Sequence, residues 1–523
     1  MMFGDNLGIF RAVDIDKNTT ADEFKTVLMG YLSQEEHGRF TIDKLHLAPY
    51  PIDDCGTQVA VFKFAPAIPS FLKKVATGEK KHLRGQNGNR IEVDANFRGL
   101  TQLNHPKEDI LLDIVAISGL ANHAYGAWSG VESSGTVQMW LQDFLPEEPD
   151  LGSRCRIMIY GYSTEADDLV TYVAGFLEEL SKARRKLHQQ SRPLVLVGHS
   201  HGGIIIAEAF VKASWDKRYK SIHLSTVQIF SFGVPYKGIN PDQIDIVKTF
   251  RGADHFGRIF QETRYTTQNL EFFRHLIERT NTQLSSFYET QDTKKRRKLN
   301  ITRENYPTES YERVVYKNSA VLGLSDDLEE DYDVDGDHIS LVQFTSRTGR
   351  TYTTIIGLLQ RLLGTGLRNK VLARTSTSGL EAAHQQDIVE KRDGSESSLT
   401  QECQSSEEAE YVYNQLLRIA AAFNLPVLVR QLLDHGADPK FHAHDPRYKK
   451  WATRRWIFDF KSTPNGKESS KRAGDQKLVE NILRSNKTAL ELALENQNDK
   501  VFQLLVQVRS DYAEDKNLYK ELI

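Results

Sequence analysis

The sequence predicts a protein of the α/β fold class, and the prediction follows from the pattern of its apolar residues. Between residues 110 and about 366, short runs of consecutive apolar residues alternate with longer amphipathic runs. Apolar strands separated by helices indicate a parallel sheet that is buried on both faces. The chain has 523 residues, which is more than one ordinary domain holds, so we expect smaller domains beside this core.

Six apolar runs in this central region are the predicted strands. They are DILLDIVAIS, CRIMIYGYS, PLVLVGHS, TVQIFSFGVP, LSSFYET and YERVVYKNSA. The segments between them, such as LVTYVAGFLEELSKARRKL, have the amphipathic pattern of helices. We therefore expect the α/β domain to span residues 106–366.

Residues 1–105 are predicted to form a small α+β unit. A strand-like run is followed by a helix that Thr20 and Glu23 open as a capping box, and the remaining runs complete the order βαββαβ. This order is typical of ferredoxin-like and RNA-recognition-like units. The aromatic and glycine signature of RNA recognition is incomplete, so we expect no nucleic-acid partner.

The C-terminal part of the chain changes composition twice. Residues 367–410 are poor in large apolar residues and rich in Ser, Glu and Gln, which predicts a linker. Beyond it, residues 411–523 are predicted to be all-α, because the segments 416–439 and 488–506 look like two ankyrin repeats. Such repeats would bind a protein partner, and a plain helical tail is the alternative interpretation.

The overall composition excludes several classes of protein. Hydrophobic residues make up 39% and charged residues 26%, and the formal net charge is only −3, so no strong field would attract nucleic acid or acidic membranes. The three cysteines lie far apart without the spacing of metal ligands, which predicts no metal and a reducing compartment. No apolar run approaches about 18 residues and no signal-peptide pattern is present, so we expect a cytoplasmic protein without a transmembrane segment.

The stretch GHSHG at residues 198–202 fits the pattern G-x-S-x-G, between an apolar strand and an amphipathic run. In this context the pattern predicts a sharp turn from strand to helix, with Ser200 exposed at its tip as a nucleophile. The side chains of His199 and His201 point away at such a turn, so neither is expected to be the base. The backbone N–H of His201 is instead expected to stabilise an oxyanion.

The base must then come from a distant part of the chain. In folds with this turn, the order along the chain is serine, acid, histidine. His338 follows the later strands and is the favoured base. The other candidates are His223, which comes too soon after the serine, and His255 and His275, which precede the later strands.

The acid is expected between the serine and the histidine. Glu289 ends the strand-like run SSFYE before a polar loop, where a residue that orients a histidine can lie. Asp292 is the near alternative, and Asp242 and Asp245 are weaker candidates.

A second oxyanion donor is expected in the loop SGLANHAYGAW, which follows the strand DIVAIS. Gly119 allows the backbone to turn there, and the N–H of Leu120 is the predicted donor. His123 in the same loop is interpreted as a residue that orders the loop rather than as a catalytic group.

Seven blocks of the chain resemble a known family. ISGLANHAYGAW, MWLQDFLP, RIMIYGYS, RPLVLVGHSHGG, FYET, KNSAVLG and DHISLVQF occur in the order seen in serine esterases related to the serine-active-site-containing lipase-like proteins. The resemblance covers residues 110–366 and implies an α/β-hydrolase core. It also implies Ser200 as nucleophile, Glu289 as acid and His338 as base, with small-molecule or lipid esters as substrates. The chain resembles the fungal multidomain members of the family, which often carry such domains beside ankyrin repeats.

Two positions depart from the family. His201 stands where the family usually has Leu, and Ser118 stands where it usually has the His of an HGL motif. These changes keep open a second hypothesis, in which a weak or silent hydrolase fold serves as a signalling scaffold with the ankyrin-like tail as its partner surface. The first hypothesis is a serine hydrolase that needs no cofactor.

Two further motifs are interpreted as structural. DYDVDGDHISLV at 331–342 imitates part of a calcium loop, but its twelfth position is Val342 instead of the bidentate glutamate. KKRRK at 294–298 is interpreted as a solvated loop, with a phosphate-binding patch or an import signal as the alternatives.

Overall fold

A computed structural model describes the chain in two compact units, Met1–Lys391 and Arg392–Ile523. In the first unit the described residues are 8–52, 56–120, 123–132, 134–163, 169–238, 266–294, 311–364 and 371; in the second they are short stretches between 414 and 495.

The second unit is described only in part. One helix is described there, and a capping box between Thr488 and Glu491 opens it. Most of the predicted linker and repeats, at 367–410, 416–439 and 488–506, lies outside the described residues, so these assignments stay predictions.

The first unit begins with a five-stranded antiparallel sheet in the order β2-β3-β1-β5-β4. Its elements are β1 (Ile9–Ile15), α1 (Ala21–Met29), β2 (Thr41–Pro49), β3 (Gln58–Ala65), α2 (Lys73–Ala76), β4 (Lys81–Arg84) and β5 (Arg90–Asp94). The predicted capping box of Thr20 and Glu23 opens α1. The sheet has one strand more than the predicted pattern, because β4 pairs with β5 as a hairpin at the edge.

A seven-stranded sheet forms the centre of the first unit, in the order β16-β13-β12-β11-β7-β10-β6. Its strands are β6 (Gly99–Gln102), β7 (Leu112–Ile117), β10 (Cys155–Gly161), β11 (Leu194–His199), β12 (Thr226–Phe232), β13 (Gln283–Glu289) and β16 (Glu329–Val334). All neighbours are parallel except β6, which runs antiparallel to β10. Since β6 precedes residue 106, the predicted domain boundary falls after the first strand of this sheet.

Helices cover both faces of the central sheet, as continuous apolar strands require. On one face, Phe176 of the helix Leu169–Ala183 and Ile205 of the helix His201–Trp215 share an apolar cluster with Leu196 of β11. On the other face, Tyr352 of the helix Arg350–Gly364 packs against Trp140. The helices are α3 (Trp140–Asp143), α4 (Leu169–Ala183), α5 (Leu187–Gln190), α6 (His201–Trp215), α7 (Lys220–Ser225), α8 (Thr266–Thr280), α9 (Lys317–Ala320), α10 (Arg350–Gly364) and, in the second unit, α11 (Ala489–Glu495). In the part of the chain that the structure describes, no helix has the length and apolar character to cross a membrane.

Two short pairs of strands lie outside the large sheets. They are β8 (Ser129–Val131) with β9 (Val137–Met139), and β14 (Thr293–Lys294) with β15 (Tyr311–Glu312). The second pair corrects the sequence analysis, in which YERVVYKNSA was the last strand. Only its first two residues are extended in a ladder, and its end forms α9.

The true last strand of the central sheet is β16, whose sequence EEDYDV was not predicted as a strand. Among the described strands it lies at the edge of the sheet and pairs with β13 alone, and four of its six residues are partly or fully exposed. An edge strand of this kind needs no continuous apolar run, so its sequence does not show the pattern of the buried strands.

A buried charge cluster ties the strands together at the start of β7. Asp113 is fully buried and pairs with Arg156, Arg184 and Arg192. Burial alone would raise the pKa of the Asp113 carboxyl, but the three guanidinium groups outweigh it and hold the pKa well below its usual range. Arg192 lies two residues before β11 and Arg156 lies in β10, so this one carboxylate in β7 joins three neighbouring strands.

We predict that Asp113→Asn lowers the free energy of unfolding by about 3–5 kcal/mol, because three buried arginines lose their counter-charge. Asp109→Asn, at an exposed position four residues earlier, should change it by less than about 0.5 kcal/mol. Urea denaturation of both variants measures the difference. Equal small losses would show that the cluster contributes little to stability.

Candidate active site

Ser200 lies at a strained turn between β11 and α6. Its backbone has φ 53° and ψ −125°, a conformation that residues with a side chain rarely adopt. Its N–H donates to the carbonyl oxygen of Phe232 at the end of β12, at 2.9 Å. The serine side chain therefore lies at the carboxyl end of β11, the central strand of the sheet.

Close packing requires the glycines on either side of this turn. A Cβ on Gly198 would lie 2.5 Å from the Cα of Gly203, and a Cβ on Gly202 would overlap the carbonyl of Ile117. The absence of side chains lets the first turn of α6 contact both β11 and the end of β7.

The structure brings Ser200, Glu289 and His338 together, although they lie 138 and 49 residues apart along the chain. The Nε2 atom of His338 is 2.9 Å from the Oγ of Ser200, and its Nδ1 atom is 2.7 Å from the Oε2 of Glu289. With the proton on Nδ1 donated to the carboxylate, Nε2 has a free lone pair that can accept the serine proton.

Glu289 is held by a loop that the sequence analysis had interpreted as a strand. Its Oε1 accepts hydrogen bonds from the backbone N–H groups of Val314 and Val315, at 2.7 and 2.9 Å. The carboxylate is fully buried at the end of β13. Both oxygens are therefore occupied, one by the loop and one by His338, and the side chain has a single orientation.

The two histidines beside Ser200 have other partners. The Nε2 atom of His199 is 2.8 Å from the backbone oxygen of His338, and the ring of His201 packs near Tyr162 and Tyr172. Neither ring nitrogen of His201 has a hydrogen-bond partner among the described residues. Burial lowers the pKa of each of these two imidazoles to about 3, so both are neutral near pH 7.

The predicted oxyanion donors belong to elements that meet at this site. His201 is the first residue of α6, and Leu120 is buried in the loop after β7. The contact of Gly202 with the end of β7 draws these two elements together. Ser118, in the same loop, uses its carbonyl oxygen to accept a hydrogen bond from the Tyr162 hydroxyl at 3.0 Å.

His123 orders the loop that contains Leu120, as the sequence analysis interpreted it. Its Nδ1 accepts hydrogen bonds from the N–H groups of Tyr125 and Gly126, and its Nε2 is 2.7 Å from the oxygen of Ala95. Both ring nitrogens are thus used within the loop and its neighbour, so His123 has no free atom for catalysis.

The alternative site residues lie elsewhere or outside the described residues. Asp292 is half exposed and pairs with Arg313, His223 packs against Phe210, and His275 is exposed on α8. Asp242, Asp245 and His255 are not among the described residues, and neither are residues 295–298 of the basic run.

The segment that imitates a calcium loop is a strand and a turn. Its first four residues belong to β16, and the Asp337 carboxylate accepts N–H bonds from Ile339 and Ser340. Within the described ranges, no group of three His, Cys, Asp or Glu side chains is arranged to hold a metal ion.

One residue of the site gave no sequence signal at all. The hydroxyl oxygen of Thr293, in β14, accepts a hydrogen bond from the backbone N–H of His338 at 3.1 Å. A threonine in a polar loop has no pattern that reveals such a contact.

The strand order, the antiparallel first strand, the turn at Ser200 after the central strand and the chain order serine, acid, histidine define an α/β-hydrolase fold. Its described strands and helices lie between Gly99 and Gly364.

Of the comparisons with family models, curated proteins and solved structures, the one with solved structures found similar proteins. No family model matches the sequence, and no curated protein matches it. A type II thioesterase from the yersiniabactin biosynthetic pathway is 12% identical, covering 50% of this chain and 96% of its own, with a TM-score of 0.29. A hydrolase from Oleispira antarctica is 11% identical over 50% of this chain and 95% of its own, with a TM-score of 0.29. A 2-hydroxy-6-oxo-6-phenylhexa-2,4-dienoate hydrolase from Rhodococcus sp. strain RHA1 is 13% identical over 50% of this chain and 98% of its own, with a TM-score of 0.29.

The strain at Ser200 can be measured by substitution. We predict that Ser200→Gly is more stable than Ser200→Ala by about 1 kcal/mol or more, because glycine adopts this backbone conformation without strain. At Ser214, in the last turn of α6, the order should reverse, with glycine less stable than alanine by up to about 1 kcal/mol. Thermal unfolding of the four variants measures both differences. The same order at both positions would mean that Ser200 is not strained.

The tautomer of His338 can be read by nuclear magnetic resonance of its ring nitrogens. We predict that the neutral ring carries its proton on Nδ1 in the wild type and on Nε2 in Glu289→Gln, because the amide NH₂ then donates to Nδ1. Asp292→Asn is the matched control and should leave the proton on Nδ1. An Nδ1 proton in all three proteins would contradict the assigned role of Glu289.

Proposed function

We propose that this protein is a serine hydrolase that cleaves ester bonds through an acyl-enzyme intermediate. The observation that carries the proposal is the continuous chain of short contacts from Ser200 through His338 to Glu289. A buried carboxylate that orients an imidazole against a strained serine has no evident use in a purely structural core.

The proposed reaction uses only side chains and water. His338 Nε2 takes the proton of Ser200 as the Oγ attacks the ester carbonyl, and it later gives that proton to the leaving alcohol. Glu289 keeps the imidazole in the Nδ1–H tautomer and stabilises the imidazolium that forms. Water, deprotonated in turn by His338, then attacks the acyl-enzyme, and the acid is released as His338 returns the proton to the Oγ of Ser200. No cofactor or metal takes part.

Stabilisation of the tetrahedral oxyanion is assigned to two backbone N–H groups, those of Leu120 and His201. The position of His201 at the start of α6 supports this, because the first N–H groups of a helix have no partner within the helix. The resemblance of residues 110–366 to serine esterases favours small-molecule or lipid esters as substrates. We also propose that the protein is cytoplasmic and that residues 411–523 bind a protein partner.

A second candidate function is a scaffold with a weak or silent hydrolase fold. The observation that favours it is the pair of departures at Ser118 and His201, which lie in the two elements assigned to the oxyanion site. The two functions differ in whether the folded protein turns over any ester.

Hydrolysis of a series of p-nitrophenyl esters tests the choice between them. We expect the wild type to show turnover, and Ser200→Ala and His338→Ala to lose about 10⁴-fold or more in kcat, because the nucleophile and its base act as one unit. Ser214→Ala and His275→Ala are matched controls, the first in the helix after the turn and the second exposed, and both should keep wild-type rates. Turnover that survives Ser200→Ala would place the activity elsewhere, and a folded wild type without turnover would favour the scaffold.

A further inference from the structure

The imidazole that precedes the serine contacts the loop that carries the base. His199 is the last residue of β11, and its Nε2 lies 2.8 Å from the backbone carbonyl oxygen of His338. The two rings also pack together, with centroids 5.1 Å apart and a tilt of 39°. Since a carbonyl oxygen only accepts, Nε2 of His199 must carry the proton of this hydrogen bond.

His338 is thus fixed at three points by three different elements. His199 of β11 holds its carbonyl oxygen, Thr293 of β14 holds its N–H, and Glu289 of β13 holds its ring. Glu289 is the last residue of β13, and Thr293 follows it four residues later. Of these three contacts, the one from His199 comes from β11, the strand that ends directly before Ser200.

The surroundings of His199 keep its ring neutral. The residue is buried, its Nδ1 has no partner among the described residues, and burial followed by the neighbouring His338 lowers its pKa. A neutral ring suits this position, because a positive charge 5.1 Å from the ring of His338 would oppose the imidazolium that forms during proton transfer.

We propose that His199 is a positioning residue that holds the loop of His338 at the distance from Ser200 at which the proton can be transferred. The inference deepens the proposed function and rests on it. A misplacement of about 1 Å in a reacting group costs on the order of 100-fold in rate. The loss should therefore appear in kcat, while KM stays near its wild-type value because His199 does not touch the ester.

Glutamine and asparagine at position 199 give a matched pair of variants. The amide nitrogen of glutamine extends about as far from the backbone as Nε2 of histidine, whereas that of asparagine extends only as far as Nδ1. His199→Gln can therefore donate to the carbonyl of His338, and His199→Asn cannot reach it. The two amides have the same chemistry, so a difference between the variants reports the hydrogen bond rather than polarity.

The first measurement compares steady-state kinetics on the same p-nitrophenyl ester. We expect His199→Asn to lose about 10- to 100-fold in kcat with KM changed less than about 3-fold, and His199→Gln to recover most of that loss. Equal kcat values for the two variants would overturn the inference, and so would a loss that appears in KM alone.

The second measurement does not need turnover. The proton between His338 Nδ1 and Glu289 should give a low-field resonance in the wild type and in His199→Gln, and a resonance broadened by exchange in His199→Asn. If the wild type hydrolyses no ester, the proposed function fails while this spectrum still tests the contact. A sharp resonance in all three proteins would overturn the positioning role whether or not the enzyme is active.

Discussion

The strained turn at Ser200 is the constraint on which the rest of the site depends. A residue with a side chain adopts φ 53° and ψ −125° only where the surrounding structure holds it there. Here β11 lies between β7 and β12 in the sheet, and the glycines beside Ser200 allow α6 to begin against both β11 and the end of β7. The serine is therefore fixed in place before any partner side chain is considered.

The partners reach Ser200 because the strands are parallel. In a parallel sheet the carboxyl ends of successive strands share one edge, so loops that are distant in the sequence meet there. Glu289 ends β13, and His338 follows β16. Hydrogen bonds with His199 and Thr293 hold the backbone of His338, and those from Val314 and Val315 hold the carboxylate of Glu289. Precision at the serine thus comes from backbone contacts as much as from the three reacting side chains.

The sequence allows parts of this arrangement to be predicted, for local reasons. The GHSHG turn can be predicted because its glycines contact the adjoining strand and helix. Glu289 and His338 can be predicted because they come in the order acid, then histidine, after the predicted strands. The strand β16 could not be predicted, because an exposed acidic edge strand has no apolar pattern. The run with Val314 and Val315 has the apolar pattern of a strand without forming one, because the two side chains pack in a small cluster with Ala320 and Tyr288 while their backbone N–H groups bind Glu289.

The most direct test of the account is the reaction of the intact protein with a fluorophosphonate, followed by peptide mapping of the adduct by mass spectrometry. A serine activated by a remote imidazole attacks phosphorus and retains the phosphonyl group. The account predicts one adduct per chain, located on Ser200, and none on the His338→Ala protein. A folded wild type that forms no adduct, or an adduct on a different serine, would contradict it.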